Sequence, residues 1–245
     1  MRSGSGGRPV TTGNAHFVIG TDTGVGKTLV SCALIHALRA RGVDAVGMKP
    51  VASGAWRDAN GMLRNDDADA LANASAPGHP ASLTSPYLFV PALAPHIAAR
   101  MDGRAIDPAV MTDAFRQLGA RAGHVVVEGV GGFLVPLADD FTTADLAERF
   151  NAPMVMVVGL RLGCINHALL TAEAVRSRGL TMAGWVANCL TDGMLEQDAS
   201  IDALKERLDA PFLGVLPRMI VPDPMVAAAA LDFGLLSPPS KEFSR

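Results

Sequence analysis

Short apolar runs alternate with helical stripes along most of this chain. His16–Gly20 (HFVIG) is an apolar run closed by Gly, after which Leu29, Cys32, Ala33, Ile35, His36 and Leu38 recur at helical spacing between residues 28 and 40. The order is strand, Gly-rich turn, helix. Ala45–Met48 predicts a second strand that stops at Lys49, because Pro50 removes a backbone donor and biases its predecessor to extended geometry. A polar stretch from Ser53 to Asn65 precedes a short Ala-rich helix near Asp67, and the proline-punctuated segment 77–95 predicts surface loop with short elements. Pro108 opens a helix whose stripe is Val110, Met111, Ala114, Phe115 and Leu118, ending near Gly123. His124–Gly129, Met154–Gly159, Met182–Asn188 and Pro211–Leu216 are continuous apolar runs, separated by helical patterns over 143–150, 166–178 and 195–208. Continuous rather than alternating apolar runs mark strands covered on both faces. The whole predicts an α/β fold, a single doubly wound, mostly parallel sheet with helices on both faces, binding ligands beyond the carboxyl ends of its strands.

A length of 245 residues accommodates one such domain, here read as 16–236 between an N-terminal tail, 1–15, and a C-terminal tail, 237–245. With 49% hydrophobic and 18% charged residues, disorder and coiled coil are poor readings. The net charge of −3 argues against a nucleic-acid partner. Cys32, Cys164 and Cys189 are widely spaced with no C-x-x-C, so neither a disulfide framework nor a cysteine zinc site is indicated. The first residues are small and polar rather than apolar, and no run is long enough to cross a bilayer. A cytoplasmic location and no membrane partner follow as expectations.

The chemistry concentrates at predicted strand ends. Gly20-Thr21-Asp22-Thr23-Gly24-Val25-Gly26-Lys27-Thr28 joins the first strand to the first helix. Backbone N–H groups of such a loop can cradle phosphate, Lys27 can reach the terminal phosphates and Thr28 can ligate Mg²⁺. This is a P-loop variant, since its first Gly lies one residue further back than in the strict pattern; an ordinary Gly-rich turn is the plainer alternative. Glu128 ends an apolar strand beside Gly129, Gly131 and Gly132, and a carboxylate there would be costly to desolvate unless a cation met it. Asp66 and Asp67 can be helix-capping acids, Lys49 a solvated loop lysine, and Asn188 either a base reader or a turn cap. Asn166 can cap the helix after Leu162, or that helix start can hold an anion. Cys164 reads as a small buried thiol, and His96 and His167 as packing residues.

Seven motifs in order, GTDTGVGKT, KPVASG (49–54), LRNDDA (63–68), PHI (95–97), EGVGG (128–132), LGCINHALLTAE (from Leu162) and GWVAN (184–188), resemble the dethiobiotin synthetase family over roughly residues 16–220. The resemblance implies an ATP- and Mg²⁺-dependent cyclo-ligase: 7,8-diaminopelargonate takes up CO₂ (supplied as bicarbonate) as a carbamate, ATP phosphorylates it, and the second amine closes the ring. It implies that Lys27 and Lys49 are the catalytic cations. Thr23, Gly24, Val25, Gly26, Lys27, Thr28 and Leu29 would surround ATP together with Gly129, Val130 and Gly131, and Asn188 and Pro217 would read adenine. Thr28, Asp67 and Glu128 would hold the metal. Ser53 would touch the diamine, and Gly163, Cys164, Ile165 and Asn166 of a second subunit would bind its carboxylate, making a homodimer. Two departures stand out: Gly24 replaces an acid often found there, and no Tyr lies in the C-terminal half. The alternative is a partitioning- or division-type nucleotide-switch ATPase, which carries a second signature lysine where this chain has Asp22.

Overall fold

The computed structural model describes residues 14–236. Strand β1 (Ala15–Gly20) leads through the Gly-rich turn into α1 (Lys27–Ala40) and back to β2 (Ala45–Met48). Next come β3 (Val51–Ser53) and a small hairpin of β4 (Trp56–Arg57) with β5 (Leu63–Arg64). Helices α2 (Asp66–Ala74) and α3 (Ala81–Thr84) follow, then β6 (Tyr87–Phe89), which pairs with β3. Helices α4 (Pro95–Met101) and α5 (Pro108–Gly119) precede β7 (His124–Glu128). A hairpin of β8 (Pro136–Ala138) and β9 (Phe141–Thr142) leads to α6 (Thr143–Phe150). The chain then alternates through β10 (Met154–Leu160), α7 (Cys164–Ser177), β11 (Met182–Cys189), α8 (Gln197–Lys205), β12 (Phe212–Leu216) and α9 (Pro224–Ala230).

Six strands form one sheet in the order β12-β11-β10-β1-β7-β2, and every neighbouring pair is parallel. Successive side chains of a strand point to opposite faces, so each apolar run serves two cores. On one face Phe17, Val127, Met156 and Trp185 pack in a core with Met111 and Phe115 of α5 and Phe150 of α6. On the other, Val18, Val126, Val157 and Val186 share a core with Leu34 and Ile35 of α1, Leu71 of α2 and Ala227 of α9. The Phe115 and Phe150 rings stack with centroids 4.1 Å apart. Burial of each such ring contributes about 2–3 kcal/mol by area. Helix α6 starts on a reciprocal capping box between Thr142 and Asp145 and stops at Asn151, whose left-handed backbone ends the helix.

The expected doubly wound fold is therefore present, with local corrections. The first strand starts at Ala15, not His16, while the remainder of the expected N-terminal tail (1–13) and the expected C-terminal tail lie outside the described residues. β2 ends at Met48, one residue before the expected stop. Segment 77–95 carries short elements as expected, α3, β6 and the start of α4 at Pro95, but it is not all surface, since Tyr87 and Phe89 are buried in β6. These pieces, like the β4–β5 and β8–β9 hairpins, span too few residues for hydrophobic periodicity to reveal them. Helix α7 begins at Cys164 rather than Asn166, and α8 is shorter than the pattern over 195–208. The carboxyl ends of β1, β2, β7, β10, β11 and β12 share one edge of the sheet, as parallel pairing requires.

Candidate active site

The turn after β1 is built for a close-approaching anion. Gly24 and Gly26 have φ of 72° and 96°, the left-handed region open to glycine. Gly26 is the N-cap of α1, and no side chain among the described residues caps that helix start, so its first-turn N–H groups face the loop. Lys27 is buried at the first helical position and its Nζ donates to the Asp22 carbonyl at 2.9 Å. Burial, then repulsion from Lys49, pulls the Lys27 ammonium down to about 8, so it stays mostly charged at neutral pH and a phosphate beside it would stabilise that charge further. The Asp22 carboxylate pairs with Arg161 at the end of β10.

Beside this loop three elements bring one ammonium to two carboxylates. Lys49, just past β2, is 2% exposed, and its Nζ donates to Glu128 Oε1 at 2.6 Å, Asp67 Oδ2 at 2.8 Å and the Gly129 carbonyl at 3.2 Å. Thr28 Oγ1 lies 2.7 Å from Asp67 Oδ1 and 2.9 Å from Glu128 Oε1. Burial works against the charge of Lys49, but Glu128 and Asp67 outweigh it and hold the lysine above its ordinary range. Burial likewise disfavours ionised Asp67, yet Lys49 and its hydrogen bond bring that carboxyl below the usual range. Glu128 goes the other way: burial and the neighbouring Asp67 charge push it up further than Lys49 pulls it down. One ammonium thus serves two acids, and Glu128 Oε2 is buried without a hydrogen-bond partner among the described residues. Two carboxylates, one of them with an oxygen left unpartnered, and a hydroxyl are the hard oxygen donors that suit Mg²⁺. Asp67, Glu128 and Thr28 therefore fit a divalent cation.

A cavity of about 920 Å³ runs from the phosphate loop past Lys49, Asp67 and Glu128 to Ser53. Its walls include Thr23, Gly24, Gly26, Lys27, Thr28, Val130 and Gly131, with Ala92–Pro95 and Leu134–Pro136 opposite. Ser53 Oγ is buried without a partner among the described residues. Asn65 caps α2 by accepting from the Ala68 N–H, and its own amide donates to the Ser53 carbonyl. That one residue ties the strand carrying Ser53 to the helix carrying Asp67.

An AAA-domain family matches residues 14–225. The ATP-dependent dethiobiotin synthetase of Aromatoleum aromaticum is 51% identical over 222 residues, covering 91% of this chain and 98% of the relative. That of Janthinobacterium sp. is 51% identical over 223 residues, covering 90% and 94%. The chain belongs to the dethiobiotin synthetase family. Solved structures also share its fold. The cell-division ATPase MinD of Pyrococcus furiosus has a TM-score of 0.51 at 18% identity, covering 94% of this chain and 93% of its own. The ParA-family ATPase of Chlorobium tepidum has 0.51 at 15%, covering 85% and 86%. At such identities the likeness speaks for the fold alone, so the switch-ATPase alternative gains nothing from it.

Against the family's expected site, the structure gathers most of the named residues and separates others. Asp67 faces Lys49 and Thr28, whereas Asp66 accepts from Trp56 Nε1 at 3.3 Å. Capping falls to Asn65 rather than to either acid. Lys49 is not a solvated loop lysine but one of the most buried charges in the chain. Val25 turns its side chain into the core at 1% exposure and meets the loop through its backbone; Leu29 packs against the same core. Asn188, next to the last residue of β11, donates to the Val25 carbonyl at 2.8 Å, with Pro217 just past its register neighbour Leu216 on β12. Gly129 donates its N–H to Val18, fixing the turn after β7 against β1. Gly163, Cys164, Ile165 and Asn166 lie outside the cavity's lining, at the start of α7. Asn166 does not cap that helix; Gly163, at φ 94°, is the N-cap. Cys164 is buried, as a small apolar thiol would be. Sequence reasoning gave no part to Arg161, to Asn65 or to the wall at 92–95. Asn65 lies within the LRNDDA motif and Pro95 of the wall opens PHI, but Arg161 carried no signal.

Proposed function

We propose that this protein makes dethiobiotin from 7,8-diaminopelargonate, CO₂ and ATP, releasing ADP and phosphate. The convergence of Lys27, Lys49, Thr28, Asp67, Glu128 and Ser53 on one cavity carries this reading. One substrate amine attacks CO₂ and loses a proton, giving a carbamate. A carbamate oxygen then attacks the γ-phosphorus of ATP as the bond to ADP breaks. The second amine attacks the carbonyl carbon, and phosphate leaves as the ureido ring closes. Both the carbamate and the triphosphate are anionic, so bringing them together needs fixed positive charge in a water-poor site. Lys27 supplies it from the loop side and Lys49 from the floor, held in place by two carboxylates and a carbonyl.

Thr28, Asp67 and Glu128 would hold Mg²⁺, which when bound offsets phosphate charge. The Ser53 hydroxyl, buried and unpartnered among the described residues, would bond the diamine or its carbamate. The Asn188 amide and the chain at Pro217 would contact adenine. The α7 start, with its exposed Leu162 and Gly163 outside the chain's own cavity, is suited to binding the substrate carboxylate in a second subunit, so we read the working unit as a homodimer. A net charge of −3 supports neither nucleic-acid nor acidic-membrane partners, and among the described residues no helix is long and apolar enough to cross a membrane. We place the protein in the cytoplasm.

The test is mass detection of dethiobiotin after mixing protein, diamine, bicarbonate, Mg²⁺ and ATP, with ADP followed in parallel. Product with stoichiometric ADP is expected. ATP hydrolysis indifferent to the diamine, without product, would overturn the reading in favour of a switch ATPase.

A further inference from the structure

The resemblance reserves Asn188 for the nucleotide base, yet its side chain hydrogen-bonds the phosphate loop. Asn188 Nδ2 donates to the Val25 carbonyl at 2.8 Å in a buried setting. The assignment of that amide is unambiguous, because a backbone carbonyl can only accept. A Cβ on Gly26 would sit 2.3 Å from the same Nδ2, so the loop fits over the amide only because residue 26 is glycine. The Val25 side chain is seated with similar closeness between the carboxyl ends of two strands. A Cβ on Gly20 would lie 2.7 Å from Val25 Cγ2, and one on Gly159 would lie 2.8 Å from Val25 Cγ1. Gly159 is the register partner of Asn188 in the β10–β11 pair, so seat and hydrogen bond sit side by side on the sheet edge.

Together these contacts determine the orientation of one peptide. The unit between Val25 and Gly26 is planar and trans, so its carbonyl and N–H point in opposite directions. With the carbonyl turned onto Asn188 and the side chain locked in the core, the Gly26 N–H is aimed away from the sheet, toward the cavity that Gly26 and Lys27 line. We infer that Asn188 is a positioning residue for the phosphate loop: through Val25 it sets the direction of the Gly26 amide and the start of α1, independently of any contact with a base. This rests on the reading of the turn after β1 as the phosphate site.

Inorganic tripolyphosphate with Mg²⁺ separates the two parts, since it has phosphates and no base. Its affinity and that of ATP are measured by calorimetry for the wild type, Asn188→Leu and Gly159→Ala. Leucine keeps the shape and neutrality of Asn188 but loses the donor; the new methyl of Gly159→Ala presses from a strand on Val25 and on Leu190 beside it. The result expected is a roughly five- to tenfold or greater loss of tripolyphosphate affinity in both variants, the scale of a buried carbonyl losing its partner, with thermal midpoints showing both folded. If Asn188→Leu does not fold, Asn188→Ala reports the same loss. Unchanged tripolyphosphate affinity with weakened ATP binding would overturn the inference and leave Asn188 a base contact only. A wild type that binds ATP but not tripolyphosphate would also overturn it, while leaving the nucleotide site intact. A wild type that binds neither would refute the phosphate-site reading itself, and the inference with it.

Discussion

Replacing Lys49 by methionine tests the charge cluster directly, because the side chain keeps most of its length and loses only the ammonium. Glu128, whose side chain is fully buried, would then have no opposite charge within hydrogen-bonding distance among the described residues. Its cheapest escape is to take up a proton. Starting from the ordinary glutamate value of 4.5, protonation at pH 7 costs about 1.4 kcal/mol per pH unit, or roughly 3 kcal/mol in all. That agrees with the ~3–5 kcal/mol typical of removing one partner from a buried pair. For a chain of this size it corresponds to a fall in melting temperature of roughly 10 °C.

The sign with pH is distinctive. In the variant the folded state holds a proton that the unfolded state releases above 4.5, so stability falls as pH rises, by up to about 1.4 kcal/mol per unit. A double variant, Lys49→Met with Glu128→Gln, has no buried acid left to neutralise and loses that slope. Asp67, with 43% of its side chain exposed, keeps its hydration in both. The assay is urea unfolding in EDTA at several pH values from 5.5 to 8. The single variant is expected to be less stable and pH-sensitive, the double variant largely recovered, and both inactive in dethiobiotin synthesis. A single variant as stable as the wild type, or a double variant no better than the single, would refute the balance of charges described for this site.

Other outcomes follow from the same geometry. Glu128→Gln should weaken Mg²⁺-dependent ATP binding by about tenfold or more while leaving metal-free binding less affected; an unchanged metal titration would return Glu128 to a structural part. Ser53→Ala removes a buried hydroxyl that has no partner among the described residues, so thermal stability should hold or rise slightly while KM for the diamine increases; a stability loss with unaltered KM would contradict its placement. His16 and His124 stack with Nδ1 and Nε2 2.9 Å apart, and burial first, then for His16 its neighbour's charge, lowers both to about 4 from 6.5. The unfolded chain binds more protons between those values, so stability complete above pH 6.5 should decline toward pH 4, by about 2 kcal/mol per histidine at pH 5. Urea midpoints at pH 7 and 5 should show it, and a His16→Gln, His124→Asn variant should lose that part of the slope.

Some features of this protein were settled by local pattern. Apolar runs such as Val125–Val127 and Met154–Val158 announce strands buried on both faces because each alternate residue needs its own core, and both cores are present. The Gly-rich turn is legible because positive φ demands glycine at Gly24 and Gly26 whatever lies around them. The charges are different. Lys49 looks like a loop lysine and Asp67 like a helix-start acid until β2, α2 and β7 are brought together; 79 residues separate Lys49 from the Glu128 it pairs with. The hold of Asn188 on Val25 spans 163 residues and exists only because β10 and β11 place their carboxyl ends beside the loop. Periodicity and turn chemistry act over a few residues, so sequence carries them directly. Which buried charge meets which, and which peptide a side chain turns, depends on strand order, and strand order is decided only when the sheet closes around its two cores.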